Sequence, residues 1–292
     1  LLNTVLNVFL LSLGIAVVTF LILFNHQFEE KITSNSKGID LVVGAKGSPL
    51  QLILCNIFHI DFPTGNIGLR EAEQIARHRL VKRAIPMALG DSYEGYRIAG
   101  TTHAYAELYG AQLREGSLWN KPMEVTLGST VADRLNLMTG ARFASNHGIS
   151  QSGYAHEDQE FVVTGILKQT NTVADNLILT GVESVWLVHE PHEQEADRGR
   201  GSEGPKVASP LVPSVEQGDS TKEITSLLIQ YRSAMGAIQL PRWVNGHSSL
   251  QAASPAFETA RLFSILGIGV DILKAFASIL IFISAVSIFI AL

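Results

Sequence analysis

The chain has 292 residues, 46% of them hydrophobic and 17% charged, with a formal net charge of −5. A mildly acidic chain with no basic stripe argues against a nucleic-acid partner, and a lone cysteine, Cys55, excludes an internal disulfide and a cysteine-based metal site. The mean hydropathy of +0.21 has a local cause: residues 1–25 and 275–292 carry no charged side chain, and every lysine and arginine lies between Lys31 and Lys274.

Residues 1–25, "LLNTVLNVFLLSLGIAVVTFLILFN", meet the requirement of about 20 apolar residues for a helix crossing a hydrocarbon core of about 30 Å. A cleaved signal peptide fits less well, because no basic stretch precedes the apolar run and no small-x-small site follows it. The reading is a retained first membrane helix. Asn3 and Asn7 fall four apart on one of its faces, where side-chain amides hydrogen-bond to a neighbouring helix or sit near the headgroups. Residues 26–38 continue the helix as a polar stalk. Leu1 is not an initiator and Leu292 falls inside an apolar helix, so the expectation is a fragment with further helices to follow.

Residues 39–43 predict a buried strand, and "VVGAKGSPLQL" then has the outline of a phosphate loop. A Walker A loop needs G-x-x-x-x-G-K-[ST], with the lysine after the last glycine. Here the order is Lys46-Gly47-Ser48, and position 42 is valine. The nucleotide reading fails on residue order. Ser48 as N-cap and Pro49 at the first helical position explain the stretch as the start of a helix, which breaks at 61–65. A second helix is predicted near 69–78.

Strands are then predicted at 81–89, 96–100, 124–128, 160–167 and 176–180, with short helices at 103–110, 129–137 and 182–188. Interleaved elements of this kind predict an α+β or α/β domain over residues 39–254. "NHGISQSGYAHED" (146–158), with His147, His156, Glu157 and Asp158, reads as a solvated loop. Residues 189–222 are rich in Pro, Gly, Ser and charge and read as a flexible insertion. Within it His189, Glu190, His192 and Glu193 combine imidazole and carboxylate, a donor set that suits zinc or another divalent ion; a merely solvated charge run is the competing reading. His59 with Asp61, and His103 near Tyr105, read as ordinary hydrogen-bonding pairs. No Ser/His/Asp, Cys/His or paired-carboxylate arrangement stands out, so no catalysis is expected in this chain.

Residues 223–233 predict a returning strand, and Ser254-Pro255 repeats the helix-start signal. One helix can run from there to Leu292, 38 residues or about 57 Å at 1.5 Å per residue. Its first part, 255–274, is an amphipathic stalk with Glu258/Arg261 and Asp271/Lys274 at i,i+3; residues 275–292 are the second membrane helix. Gly267 and Gly269 mark either a flexing point or close helix packing.

This layout, and the stretches "LNTVLNVFLLSLGIAVVTFLIL", "IAGTTHAYAELYGAQLREGSLW", "VTLGSTVADRLNLMTGARF", "FVVTGILKQTNTVADNLIL" and "ILKAFASILIFISAVSIFIAL", resemble the FtsX-like permeases of ABC transporters. That superfamily includes the MacB-like macrolide exporters and the lipoprotein-releasing permeases. Arg114-Glu115-Gly116 departs from the usual order of its segment.

The resemblance implies a membrane protein with a large α+β extracytoplasmic domain inserted between helix 1 and helix 2. It implies a bacterial cytoplasmic (inner) membrane location, with the central domain in the periplasm. It also implies a non-catalytic permease subunit. The partners would be a cytoplasmic ABC ATPase, a second permease copy in a homodimer or heterodimer, and a periplasmic carrier or adaptor protein. No cofactor is expected in this chain, ATP and Mg belonging to the ATPase. Movement would pass through the stalks, around Phe28, Ile32, Phe263, Leu266, Gly267 and Val270. Two further membrane helices and the coupling segment would lie beyond Leu292. The alternative is a two-helix membrane receptor with an extracytoplasmic sensing domain, which a signalling domain after Leu292 would favour.

Overall fold

The computed structural model describes residues 2–147, 155–189 and 222–291. They form two units, residues 1–37 with 254–292, and residues 38–253.

The apolar N-terminal run and its polar extension make one helix, α1 (Leu2–Ser36). It stops where Gly38 takes φ of 80°, a left-handed conformation that costs glycine little.

The central unit begins with β1 (Leu41–Ala45) and α2 (Pro49–Asn56), the latter capped by Ser48, whose Oγ accepts the Gln51 N–H at 3.4 Å. Next come β2 (Ile67–Gly68), α3 (Leu69–Ala76), β3 (Val81–Tyr93), β4 (Tyr96–Thr101), α4 (His103–Leu108) and β5 (Leu113–Gly116). β6 (Glu124–Leu127), α5 (Ser129–Leu135), β7 (Arg142–His147), β8 (Ala155–Leu167), a 3-10 turn (Val173–Asn176), β9 (Leu177–Gly181) and α6 (Val182–His189) follow. After residue 221 come β10 (Glu223–Ile224), β11 (Ser226–Tyr231), α7 (Ala234–His247) and β12 (Leu250–Ala253), and α8 (Pro255–Ala291) closes the chain.

An α+β domain thus lies between two apolar helices, as expected. Its main sheet runs β12-β1-β11-β3-β4-β9-β6-β8-β5, with β7 bridging β3 and β8. β3 is the hinge of this topology. Its first half pairs with β11, while its second half pairs with β4 and β7. Because β4 pairs β9, β9 pairs β6, and β6 pairs β8, the strands β3-β4-β9-β6-β8-β7 close into a ring. The tight β3–β4 connection, Glu94-Gly95, has positive φ at both residues, the twist that two-residue hairpins favour.

Side-chain alternation sorts the core. In β1, Val42 enters one cluster with Leu52, Ile53, Met87 and Tyr105, whereas Leu41 and Val43 enter another with Ile75, Val185 and Leu240. β11 repeats the pattern, Leu228 facing one way and Leu227 and Ile229 the other, as a period of two requires. A third cluster fills the ring around Ile98, Leu127, Phe161 and Ile178. Phe161 is fully buried there and stacks on Phe143 at 5.8 Å; truncating such a side chain to alanine costs about 3–5 kcal/mol.

Several elements differ from expectation. The strand predicted at 81–89 continues to Tyr93, a bulge between Leu89 and Ser92 absorbing the Gly90-Asp91 break. The stretch read as a solvated loop at 146–158 lies partly in strands, His147 in β7 and His156, Glu157 and Asp158 in β8. The returning strand at 223–233 divides into β10 and β11, and β5, β12 and α7 were not predicted.

Candidate functional site: the helix pair and the polar sites of the central domain

α1 and α8 are the two helices long and apolar enough to cross a membrane among the described residues. At 35 and 37 residues they reach about 52 and 55 Å, against a hydrocarbon core of about 30 Å, so each has a length left over.

They run antiparallel. Near one end the Asn7 Nδ2 donates to Ser287 Oγ at 2.6 Å. Further along, a Cβ at Gly14 would stand 2.6 Å from Ile281 Cγ1 and 3.3 Å from the Ala277 carbonyl oxygen. Near the far end Phe28 meets Phe263 edge-on with ring centroids 5.8 Å apart, and Phe20, Phe24 and Phe28 stack in sequence along α1. Gly14, with the buried Ala277 and Ser284, supplies the small surfaces that let helix backbones approach in lipid. The Ser284 hydroxyl is satisfied by its own helix, on Leu280 O at 2.8 Å. Facing outward are large apolar side chains such as Phe9, Phe20, Phe282 and Phe289.

Of the residues expected to act as stalks, Ile32 and Val270 are buried, Leu266 is exposed, and Phe28 and Phe263 touch each other. A Cβ at Gly267 or Gly269 would meet nothing within 4 Å. Close packing within this chain therefore does not account for either glycine, and α8 runs through both without interruption. Asn3 belongs to α1, but its side chain lies outside the described ones.

The glycine-lysine loop is accounted for by packing. A Cβ at Gly44 would collide with Leu52 Cδ1 at 2.5 Å, and one at Gly47 with Thr64 Cγ2 at 2.9 Å. Both glycines let α2 and the 61–65 turn close onto β1.

Of the expected metal-binding set, Glu190, His192 and Glu193 lie outside the described residues. His189, at the end of α6, places Nε2 3.1 Å from Asp91 Oδ2 on β3, where the Asp91 side chain is almost fully buried. The Asp91 hydrogen bond raises the His189 pKa above its ordinary value, against the opposing effect of burial. No group of three or more metal-donor residues occurs among the described residues. His189 also borders a cleft of about 530 Å³ with Asn66, Trp186, Lys222, Glu223 and Thr225, where the Lys222 ammonium stands 4.9 Å from the Trp186 ring.

The two isolated histidines are held by neighbours. His103 Nε2 lies 2.7 Å from Trp119 O. His59 Nε2 lies 3.1 Å from the Tyr105 hydroxyl, and burial followed by the nearby Arg97 charge lowers the His59 pKa to about 3. Burial raises the Cys55 thiol, while Arg97, donating to its Sγ at 3.4 Å, opposes that rise.

Two polar residues escaped the sequence reading. Arg97 is an arginine within a strand that is only 6% exposed. Asp175, buried, accepts the Thr170 N–H at 2.8 Å, the Thr170 hydroxyl at 2.9 Å and the Asn171 N–H at 2.7 Å, locking the turn before β9. The signal for Asp175 was the T-N-T-x-x-D pattern, whose hydroxyls and amides sit within reach of one carboxylate.

The model of the family described as "MacB-like periplasmic core domain" matches residues 4–224, more than half of the chain. The periplasmic region of MacB from Actinobacillus actinomycetemcomitans is similar in structure, at a TM-score of 0.44 and 11% identity, over 80% of this chain and 97% of that one. The extracellular domain of the noncanonic ABC-type transporter YknZ from Gram-positive bacteria is similar at a TM-score of 0.40 and 11% identity, over 74% of this chain and 99% of that one. No curated protein matches the sequence.

Proposed function

This chain belongs to the family of MacB-like periplasmic core domains, and on that premise we propose that it transmits movement as the permease subunit of an ABC transporter. The observation that carries the reading is the antiparallel contact of α1 and α8 at Asn7–Ser287, Gly14–Ile281 and Phe28–Phe263. Helices joined at points along their length move together, and each is longer than a bilayer core needs. In this reading a partner ATPase in the cytoplasm hydrolyses ATP. The helix pair conveys the resulting displacement across the inner membrane, and the central domain acts on a periplasmic or outer-leaflet substrate. The chain itself performs no chemistry. A second permease copy and a periplasmic carrier or adaptor protein complete the assembly.

The test uses the full-length protein that contains this chain, isolated from its own membranes in mild detergent. An ATPase should copurify. In a Cys55→Ala background, Phe28→Cys with Phe263→Cys should allow a short thiol cross-linker to tie the helices, with loss of most of the partner's ATP turnover. A cytoplasmic signalling domain in place of an ATPase, or full turnover after cross-linking, would overturn the proposal.

A further inference from the structure

A cavity of about 300 Å³ opens beside the C-terminal end of α2, with Phe58, His59, Tyr96, Arg97, Val173 and Leu177 on its walls. Three features of it are unusual. Arg97 is a buried cation whose two hydrogen bonds go to neutral acceptors, Cys55 Sγ at 3.4 Å and the Asp61 carbonyl oxygen at 2.8 Å. A guanidinium has five N–H donors, and burying one without a counter-charge is costly. Asp61 turns its carboxylate to its own loop, Oδ1 accepting the Phe62 N–H at 2.7 Å, and no described carboxylate forms an ion pair with Arg97. Second, His59 places Nε2 on Tyr105 while its Nδ1 is buried with no hydrogen-bond partner. Third, His59 holds φ of 57°, a left-handed conformation of the kind that gathers at ligand-holding positions.

We propose that this cavity binds a small organic carboxylate, its anionic head on the guanidinium of Arg97. Its apolar body lies against Phe58, Val173 and Leu177. The planar guanidinium fork matches a carboxylate with two parallel hydrogen bonds. Arg97 is the one charged side chain among the described wall residues, so the site balances a single negative charge rather than a dianion. About 300 Å³ is at the small end of ligand pockets, which run from about 300 to 1,000 Å³, and this selects an aryl or short-alkyl acid over a lipid. His59, whose pKa is lowered to about 3 by burial and then by Arg97, is neutral at physiological pH and adds no second charge to the wall. The site does not depend on whether the helices transmit movement.

The probe is phenylacetate, titrated calorimetrically into the full chain in lipid nanodiscs at pH 7, with benzyl alcohol, benzylamine and inorganic phosphate as comparisons. Phenylacetate should bind saturably at one site, at least tenfold more tightly than either benzyl alcohol or benzylamine, and phosphate should not displace it. Arg97→Gln should weaken it at least tenfold. Val173→Trp, which fills the cavity and leaves the Arg97 side chain unchanged, should do the same and keeps the test decisive where Arg97→Gln loses its fold. No saturable binding, equal binding of the alcohol, displacement by phosphate, or unchanged affinity in Val173→Trp would overturn the proposal.

Discussion

Acid should destabilise the central domain through His59 before most of its carboxylates titrate. The native imidazole has a pKa lowered from 6.5 to about 3, first by burial and then by Arg97. As pH falls below 6.5 the unfolded chain takes up the proton and the folded chain does not. Stability contributed by the neutral ring is therefore complete above 6.5 and is lost through the window from 6.5 to 3. Each unit of displacement is worth about 1.4 kcal/mol, so at most about 2 kcal/mol is gone at pH 5 and about 4 kcal/mol at pH 3. For a domain of this size the loss at pH 5 corresponds to a fall in Tm of about 4–8 °C. The three tryptophans, Trp119, Trp186 and Trp243, all lie in the central unit, so intrinsic fluorescence during heating of the nanodisc-embedded chain reports on it selectively. The matched variant is His59→Asn, because asparagine tolerates the left-handed backbone and does not titrate. Its Tm should change far less between pH 7 and 5 than that of the wild type. Parallel pH profiles for the two proteins would refute the assignment of the acid window to this histidine.

Three other expectations concern separate parts of the molecule. Asp175→Ala removes the acceptor for three donors in the turn before β9 and should cost about 3 kcal/mol, read as a lower Tm in the same fluorescence assay. The imidazole of His189 has a raised pKa through Asp91, so its contact holds below pH 6.5 and is lost as pH rises through the raised value. An NMR titration of the ring should shift downward in Asp91→Asn, and an unshifted curve would exclude Asp91 as the cause. Gly14→Leu, placing bulk where a Cβ alone would meet Ile281 at 2.6 Å and the Ala277 carbonyl at 3.3 Å, should separate α1 from α8. Cross-linking between cysteines introduced at Phe28 and Phe263 would then fall, and Gly14→Ala, which adds the Cβ alone, should lower it less.

Much of this architecture is written in local pattern. Uncharged runs name the two helices, and Ser48-Pro49 and Ser254-Pro255 name two helix starts. The alternation of Leu41, Val42 and Val43 names a strand buried on both sides. α7 is masked in the local pattern by Gly236, Pro241 and Gly246, residue types that disfavour a helix interior. It forms nonetheless, with Gly236, Leu240 and Val244 four apart on its buried face. Gly236 is required there by the Tyr231 ring, 2.9 Å from where a Cβ would stand. The closure of the strand ring could not be read locally, since it depends on β3 changing partners halfway along. Nor could the burial of Arg97, because its contacts lie 36 and 42 residues away in the chain. The helix contacts were partly legible: Asn7 drew attention as an amide in an apolar run, whereas Gly14 gave no sign of the approach it permits.

The chain enters the central domain on β1 and leaves it on β12, and these strands are antiparallel neighbours joined by four facing pairs, from Val42 with Ala253 to Ala45 with Leu250. The two attachment points therefore sit side by side at one end of a single ladder. Forces that spread them apart would load the pairs one after another, as a zipper is opened, beginning at Val42 and Ala253. Forces that carry both together load no rung at all. A common displacement of Val42 and Ala253 thus leaves this ladder whole, and their separation opens it rung by rung.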